Sequence, residues 1–426
     1  MDLCEQVVDC PHSTPVWSDS GPVVLRSHNI RNGRLDLTSP SYTDEGHFAD
    51  RTRRATPRAG DLVITREAPM GQVAMIPPDL RCCLGQRIVL LRPDPAKVDP
   101  RFLLFALQSP SVQHEISVHD GTGSTVSNLR IPLLEALPIP SPAMVDQRAI
   151  AHILGTLDDK IELNRRMNET LEAIARALFK SWFVDFDPVR AKSEGRAPGL
   201  PPHLADLFPD SFEDSELGEI PAGWVVGRFG DLADLNVRTL GSGDSLDVID
   251  YVEISEVMRG QVGTVARYER GTEPSRARRR LVHGDTVLST VRPDRGSYFL
   301  ALAPPETLLV STGFVVASPR DGNWAFLYSA LTRPEVGDEL GRLADGGAYP
   351  AVRPEVVSGF RLVNPPASEM RAAYDAITRP LYERFEHNEG VSRTLAALRD
   401  TLLPRLISGE LRIADADAAQ FQALGV

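Results

Sequence analysis

Lysine is nearly absent from this chain of 426 residues, and arginine supplies almost all of the positive charge. No Gly-Lys-Ser or Gly-Lys-Thr triplet is present, which excludes the phosphate-binding loop of ATP- and GTP-hydrolysing proteins. The guanidinium group of arginine binds phosphates and guanine edges through two hydrogen bonds more readily than the ammonium group of lysine does. The basic residues of this chain therefore suit a nucleic-acid partner. The only lysines are Lys97, Lys160, Lys180 and Lys192.

Cysteine and long apolar runs are also scarce. The four cysteines form no C-x-x-C pair, so neither a zinc site nor a disulfide framework is indicated. The N-terminus lacks a signal-peptide pattern and no run approaches 18 apolar residues, so we expect a soluble cytoplasmic protein. The net charge of −12 argues at first against nucleic acid, but the acidic residues are scattered whereas the basic residues cluster locally.

The most regular stretch of the chain runs from Asp146 to Phe186 and carries a heptad repeat. Apolar residues occupy the a and d positions, and only Lys160 and Asn164 interrupt them. Good helix formers dominate and no proline occurs, which predicts a long helix. Such a narrow apolar seam needs one partner helix and not a broad core. The seam residues are Ile150, Ile153, Leu157, Met167, Leu171, Ile174 and Leu178.

The same register returns about 224 residues later, which predicts the partner helix within the same chain. Arg384 and Asn388 stand where the first helix has Lys160 and Asn164. A polar residue at an a position costs stability but specifies register, so the two asparagines favour antiparallel helices that pair in one way. The alternative is two ordinary amphipathic surface helices. The second seam comprises Tyr374, Ile377, Leu381, Val391, Leu395, Leu398 and Leu402.

The segments before the two helices share landmarks as well. Gly60-Asp61 precedes one strand pattern and Gly284-Asp285 precedes another, and later landmarks keep this spacing within a residue or two. The chain is therefore interpreted as one unit duplicated. The second copy opens with residues 218–235. The first copy begins with a segment that matches only the end of that opening, so either its opening is shorter or the true start codon lies upstream of Met1. Sequence between the landmarks differs, as expected if each half recognises something different; neutral drift is the alternative.

The predicted fold class is mixed α/β (α+β) with internal duplication: two globular domains separated by two long helices that form an antiparallel coiled coil. The proline- and glycine-rich segment after the first helix is expected to be a linker that buries little. The predicted ranges are a first domain at 1–145, a central helix at 146–186, a linker at 187–217, a second domain at 218–368, a distal helix at 369–411 and a tail at 412–426.

Two clusters of arginines lie upstream of the Gly-Asp strands, at about the same place in each copy. Arginines on loops in matching positions suit phosphate contacts and bidentate base reading. Solvated loops are the alternative. The candidate DNA-binding residues are Arg51, Arg53, Arg54, Arg58, Arg66, Arg276, Arg278, Arg279, Arg280 and Arg292.

No catalytic set can be argued from residue spacing. The segment from Asn364 to Ala367 resembles the base-flipping loop of adenine methyltransferases, but alanine replaces the aromatic residue and no glycine-rich cofactor turn lies upstream. The dispersed histidines give no ligand spacing for a metal. We therefore expect a non-catalytic DNA-binding protein with no metal or cofactor of its own. A DNA methyltransferase or nuclease, and a coiled-coil adaptor that binds only proteins, are the alternatives.

Three segments resemble the specificity subunits of type I restriction–modification systems almost word for word, and the resemblance extends over essentially the whole chain. These segments are the long helix and its flank at 146–192, the sequence LFPDSFEDSELGEIPAGW at 207–224, and LRDTLLPRLISGEL at 398–411.

The resemblance implies that each globular domain is a target recognition domain reading one half of a bipartite, asymmetric DNA sequence. It also implies a non-catalytic subunit that binds two adenine methyltransferase subunits and the restriction subunits. S-adenosylmethionine, ATP and magnesium then belong to those partners. A helix of about 33 residues spans roughly 50 Å, enough for a spacer between half-sites about one duplex turn, or 34–36 Å, apart.

Overall fold

The computed structural model describes residues 2–67, 69–118, 128–241, 243–346, 350–366 and 368–413. The chain has a mixed α/β fold with two compact units. Unit 1 comprises Met1–Leu163 and Val391–Val426, and unit 2 comprises Asn164–Gly390. Each unit thus contains a globular part and one half of each long helix, so the predicted domain ranges stay a prediction. Within the described segments, every helix is too short or too polar to cross a membrane.

Unit 1 has two sheets, a short hairpin and several short helices before the first long helix. Its strands are β1 (Cys4–Asp9), β2 (Ser18–Leu25), β3 (Ile30–Arg31), β4 (Arg34–Leu35), β5 (Leu62–Thr65), β6 (Val73–Met75), β7 (Cys82–Leu84) and β8 (Ile88–Pro93). Its short helices are α1 (Glu45–Arg51), α2 (Pro100–Gln108), α3 (Pro110–Val118) and α4 (Ile131–Glu135). The long helix α5 spans Met144–Phe183 and continues into unit 2.

Unit 2 repeats this plan with additional strands. After α6 (Asp187–Ser193) and α7 (Pro202–Ala205) come β9 (Phe212–Ser215), β10 (Gly218–Pro221), β11 (Val225–Arg228), α8 (Phe229–Leu232), β12 (Ala233–Leu235), β13 (Val248–Val252), β14 (Val257–Met258), β15 (Gln261–Val262), β16 (Ala266–Glu269), β17 (Ala277–Arg280), β18 (Asp285–Ser289), β19 (Tyr298–Ala301), β20 (Leu308–Ser311) and β21 (Phe314–Pro319). The remaining elements are α9 (Trp324–Leu331), α10 (Pro334–Arg342), α11 (Pro354–Gly359), β22 (Arg361–Asn364) and the second long helix α12 (Ser368–Ile407).

The central sheets of the two units have the same topology. Their strand orders are β1-β8-β5-β6 and β12-β21-β18-β19, and all neighbouring strands are antiparallel. Each unit also has one parallel pair, β2 with β7 and β13 with β20. A short hairpin follows in both, turning on Asn32-Gly33 and on Arg259-Gly260, all four residues with positive φ. This repeated topology agrees with a duplicated unit.

The Gly-Asp landmark forms the same turn in both units. Gly60 has φ +87° and Gly284 has φ +88°, a left-handed conformation that glycine adopts without strain. Asp61 Oδ2 accepts a hydrogen bond from the backbone N–H of Arg58 at 2.9 Å, and Asp285 Oδ2 accepts one from Val282 at 2.8 Å. The aspartate therefore closes the turn that starts the central strand.

The two landmark aspartates face different partners on the neighbouring strand. In unit 1 the buried Asp61 forms an ion pair with Arg92 of β8 at 2.7 Å. In unit 2 the buried Asp285 accepts a hydrogen bond from the hydroxyl of Ser318 of β21 at 2.6 Å. Arg92 and Ser318 both lie directly before the proline that ends the strand. The scaffold has been retained while the buried polar pair has changed.

The long helices run antiparallel in unit 2. Asn388 Nδ2 donates to Asn168 Oδ1 at 2.8 Å, and Tyr374 Oη donates to the carbonyl of Ala175 at 2.9 Å. Later residues of α5 therefore contact earlier residues of α12, as antiparallel helices require. In unit 1, Arg399 donates to Asp158 Oδ1 at 2.7 Å, and the two helix halves share one apolar core.

The helix bounds differ slightly from those predicted. α5 begins two residues before Asp146 and ends at Phe183, because Phe186 adopts the left-handed conformation with φ +56°. α12 begins at Ser368 and ends at Ile407, two residues before Gly409, which has φ +75°.

The prediction that a narrow seam needs only a partner helix was wrong. Ile174 and Ile377 are 49% and 39% exposed, whereas the next residues, Ala175 and Thr378, are buried. An α-helix has 3.6 residues per turn, so its buried face drifts by about 20° per heptad from a strict repeat of seven. In addition, the end of α5 packs into the globular core of unit 2, where Trp182 is fully buried.

The segment after α5 buries more than its composition predicted. Val189 and Phe208 lie in the core of unit 2, and the ring of Phe208 is 5.2 Å from that of Trp182 in an edge-on contact. Lys192 Nζ donates to the carbonyls of Phe208 and Ala205. The expectation of a linker that buries little was wrong, because a few apolar side chains are enough to fix a proline-rich segment to a core.

Candidate nucleic-acid interface

The two units differ most between the short hairpin and the Gly-Asp turn. Unit 1 has the helix α1 there, whereas unit 2 has β16 and β17, which extend its smaller sheet to the order β16-β13-β20-β17. The two arginine clusters therefore occupy matching positions along the chain but stand on different secondary structure. One lies at the end of a helix and the other on a sheet strand.

Arg51 is not available for DNA, which corrects the prediction. It ends α1, is buried, and its Nε donates to the carbonyl of Leu84 at 2.9 Å while Nη1 donates to the carbonyl of Ser13 at 3.1 Å. The guanidinium of Arg51 therefore connects two segments of unit 1 through their backbone carbonyls.

Arg66 requires the same correction. Its Nη1 forms an ion pair with Asp9 at 2.8 Å, Nε donates to the carbonyl of Leu129 at 3.0 Å, and Nη2 donates to Asn128 at 3.1 Å. These contacts tie β5 to β1 and to the segment before α4. The side chain is only 13% exposed, so its role is structural.

The remaining candidates in unit 1 are on the surface. Arg53 is exposed and pairs with Asp50 at 2.7 Å, a contact worth little in water. Arg54 and Arg58 are exposed as well. Sequence reasoning missed Trp17, whose ring is 49% exposed with the guanidinium of Arg26 at 5.4 Å from its centroid. An exposed aromatic ring beside an arginine was the available signal.

Most of the predicted arginines of unit 2 stand on a basic ribbon, defined as residues 238–240 together with Arg276 and β17. Leu240 N donates to the carbonyl of Arg278 at 2.7 Å, and Arg280 N donates to the carbonyl of Arg238 at 3.1 Å. These bonds make 238–240 an outer strand beside β17. The structure brings Arg238, which the sequence did not single out, together with Arg278, Arg279 and Arg280.

The ribbon arginines differ in what they contact. Arg280 forms an ion pair with Asp244 at 2.8 Å, and Arg238 donates to Ser318 at 3.0 Å. Arg278 Nε donates to the carbonyl of Ser275 at 3.2 Å, and Arg276, just before β17, is exposed. Of these four arginines, Arg280 and Arg238 have acidic neighbours, since Arg238 Nη1 also lies 4.0 Å from Asp285 Oδ1.

Arg279 is the exception on the ribbon. Within the described part of the chain its side chain has no hydrogen bond or ion pair, and its Nε is buried. Burial lowers the pKa of Arg279, and no acidic group counters that shift.

The predicted DNA contact Arg292 and the segment from Asn364, for which a catalytic role was rejected, have defined surroundings. Arg292 is half-buried with φ +47°, and its N–H donates to the carbonyl of Pro350 at 2.9 Å, so the backbone fixes it before a short 3-10 helix at Pro293–Arg295. Asn364 Oδ1 accepts from Arg371 at 3.0 Å, which ties its amide into the turn before α12. Ala367 lies outside the described residues.

The predicted helix seam is divided between the units. Asn164 and Asn388 are buried, and the structure adds Asn168, which the heptad reading missed although it lies one turn from Asn164. In unit 1 the seam residues that share a core are Ile150, Leu157, Leu395 and Leu402. In unit 2 the half-buried seam residues are Leu171, Leu178 and Leu381.

A family model described as the type I restriction modification DNA specificity domain matches residues 20–173. The chain is 25% identical over 405 residues to the HindI specificity subunit of Haemophilus influenzae, covering 83% of this chain and 87% of that protein. It is 24% identical over 365 residues to the MjaIX specificity subunit of Methanocaldococcus jannaschii, covering 83% and 78%. Residues 20–173 thus resemble the DNA specificity domain of type I restriction–modification systems, and most of the chain is similar to type I specificity subunits.

The fold agrees with this family. The crystal structure of the type I restriction–modification S subunit from M. genitalium superposes with a TM-score of 0.52 at 15% identity, covering 92% of this chain and 93% of that one. The specificity-subunit fold thus extends over unit 1 and unit 2. Among the described residues, no group of three His, Cys, Asp or Glu side chains is placed to hold a metal.

Proposed function

We propose that this specificity subunit recognises a bipartite, asymmetric DNA target, with the globular part of each unit reading one half. The observation that carries the proposal is the repeated central sheet with a different element inserted before its Gly-Asp strand, α1 in unit 1 and β16–β17 in unit 2. A common scaffold with unlike basic surfaces suits two unlike half-sites. The major groove admits both an α-helix and a two-stranded β-ribbon.

The two long helices are proposed to form an antiparallel coiled-coil spacer and to bind two copies of an adenine methyltransferase subunit, to which restriction subunits attach. The buried asparagines Asn168 and Asn388 support a pairing with one fixed register. The subunit itself is proposed to be non-catalytic and cytoplasmic. S-adenosylmethionine, ATP and magnesium are then bound by its partners.

The affinity for DNA is expected to depend strongly on salt. The chain carries a net charge of −12, so its binding rests on the local arginine clusters. Each phosphate contact that is lost should reduce the slope of log affinity against log salt by about 0.9.

Co-expression with the neighbouring methyltransferase gene, followed by long-read detection of methylated adenines across the host genome, tests the proposal. We expect a split motif with one methylated adenine in each half. The double variant Arg54→Ala/Arg58→Ala should relax one half only, and Arg276→Ala/Arg278→Ala the other. Arg342→Ala is the control, because Arg342 is exposed on α10, outside the inserted strands, and pairs with Glu339.

A continuous motif, or equal loss of both halves in either double variant, would contradict the assignment of one half-site to each unit. Methylation without any sequence preference would instead favour an adaptor that binds only proteins.

A further inference from the structure

The basic ribbon of unit 2 contains arginines in two distinct states. Arg276 is exposed, whereas Arg278, Arg279 and Arg280 are all half-buried on β17. The pairing of β17 with β20 shifts register between Ala277 and Arg279, a β-bulge. Bulges re-aim side chains and are frequent next to functional sites. The ribbon therefore holds its arginines at different depths along one short strand.

The neighbours of Arg279 are anchored but its own guanidinium is not. Arg280 is held by Asp244 at 2.8 Å, and the strand itself is bonded on both sides, to β20 and to residues 238–240. Arg279 Nε is buried without an acceptor in the described part of the chain. A buried donor without a partner costs about 1–3 kcal/mol. The buried Nε fixes the base of the side chain, so contact with DNA falls to the terminal nitrogens of the guanidinium.

The position of Arg279 distinguishes base reading from phosphate contact. Phosphates are bound by exposed, mobile arginines as well as by fixed ones, and such contacts carry no sequence information. Reading guanine needs a guanidinium fork held in one orientation against the O6 and N7 acceptors. Arg279 is held on a strand that is bonded at both edges, and its fork has no competing intramolecular acceptor among the described residues.

We propose that Arg279 is a specificity-determining residue of unit 2, which reads a guanine edge in the major groove, while Arg276 contacts the phosphate backbone. This inference rests on the proposed function and deepens it. Arg279, whose buried Nε lacks an acceptor, is assigned the discrimination between sequences in one half-site. The exposed Arg276 is assigned a contribution to affinity for any sequence.

The test uses the full chain with its methyltransferase subunit and a duplex carrying the motif found by methylation sequencing. Binding is compared between this duplex and single-base variants of the half-site that unit 2 reads. Arg279→Ala and Arg279→Lys should reduce discrimination at one G·C pair by about 5- to 150-fold, the range of one bidentate contact. Replacing that guanine with 7-deazaguanine, which lacks the N7 acceptor, should weaken binding by the wild type but not by Arg279→Ala.

Arg276→Ala should weaken binding to cognate and unrelated duplexes equally and reduce the salt slope by about 1. Arg342→Ala, which removes one positive charge from unit 2 outside the basic ribbon, is the control for net charge. Thermal unfolding of each variant shows whether it is folded. Discrimination at the half-site that unit 1 reads should stay unchanged, which separates a loss of base recognition in unit 2 from a loss of folding.

Equal weakening on all duplexes by Arg279→Ala, or a 7-deazaguanine effect that persists in that variant, would overturn the assignment of Arg279. The proposed function would survive either result. A wild-type complex that discriminates between no duplexes would overturn both.

Discussion

Asn388 donates its side-chain amide to Oδ1 of Asn168 at 2.8 Å, in the buried interface between the two long helices of unit 2. The amide of Asn168 in turn donates to Glu389 at 2.8 Å and to the carbonyl of Phe385 at 3.3 Å. Asn164 reaches the carbonyl of Asn388 at 3.4 Å. The polar layer thus consists of three asparagines and not of the matched pair alone.

Asn168→Ala should lower the free energy of unfolding by about 1–3 kcal/mol, because it leaves the buried amide of Asn388 without its acceptor. The double variant Asn168→Leu/Asn388→Leu should recover much of that loss, since replacing both buried polar partners by apolar groups is often neutral or stabilising. Chemical denaturation of Asn168→Leu, Asn388→Leu and the double variant, analysed as a double-mutant cycle, measures the coupling. Additive effects would show that the two side chains do not interact.

The landmark aspartates should respond in opposite ways to the same substitution. Asp61→Asn breaks the buried ion pair with Arg92 and should cost about 3–5 kcal/mol. Burial raises the pKa of Asp285 above its ordinary value of 3.8, and the guanidinium of Arg238 at 4.0 Å offsets this shift only in part. Asp285→Asn should therefore stabilise unit 2 at neutral pH.

The pH dependence separates these effects. A raised pKa in the folded state means that the stabilising contribution of Asp285 is complete below about pH 4 and is lost as the pH rises through the folded-state pKa. Thermal unfolding between pH 4 and pH 8 should show a smaller decline for Asp285→Asn than for the wild type. A parallel decline in both proteins would refute the assignment of this loss to Asp285.

Arg51→Ala should destabilise unit 1 by about 1.5–3 kcal/mol, because the buried carbonyls of Leu84 and Ser13 lose a charged donor. Arg54→Ala, three residues later and exposed, should leave stability within about 0.5 kcal/mol of the wild type. Urea denaturation compares the two variants. The salt slope of DNA binding should change in Arg54→Ala and not in a folded Arg51→Ala; the reverse pattern would restore Arg51 as a DNA contact.

Gly60→Ala and Gly284→Ala impose the same backbone strain in different surroundings. At φ near +88° a side chain should cost about 1–2 kcal/mol in either turn. At Gly60 an added Cβ meets nothing within 4 Å, whereas at Gly284 it lies 2.9 Å from the ring of Trp324. Gly284→Ala should therefore be the more destabilising of the two in thermal unfolding. Equal losses would show that the ring of Trp324 moves aside.

Local patterns in the sequence were sufficient for the elements and the duplication. The strand patterns that follow Gly60-Asp61 and Gly284-Asp285 are present as β5 and β18, and both long helices lie within a few residues of their predicted bounds. A run of helix formers with regularly spaced apolar residues predicts a helix wherever it packs. The repeated spacing of Gly-Asp turns likewise predicted the repeated sheet.

Tertiary structure decided which of the predicted arginines are buried and which are exposed. Arg51 and Arg54 are indistinguishable in composition and lie three residues apart, yet one is buried among carbonyls and the other is exposed. The same applies to Arg66, which Asp9 neutralises from a strand distant in sequence. Whether a guanidinium is free depends on acceptors that only the folded chain brings near.

The sequence by itself determined the helices, many of the strands and the resemblance to type I specificity subunits, because these depend on short-range periodicity and on contiguous motifs. Only the tertiary structure decided which face of each helix is buried, since α5 and α12 pack against globular cores as well as against each other. It also revealed the basic ribbon, because Arg238 and Arg280 meet through backbone pairing between segments some 40 residues apart.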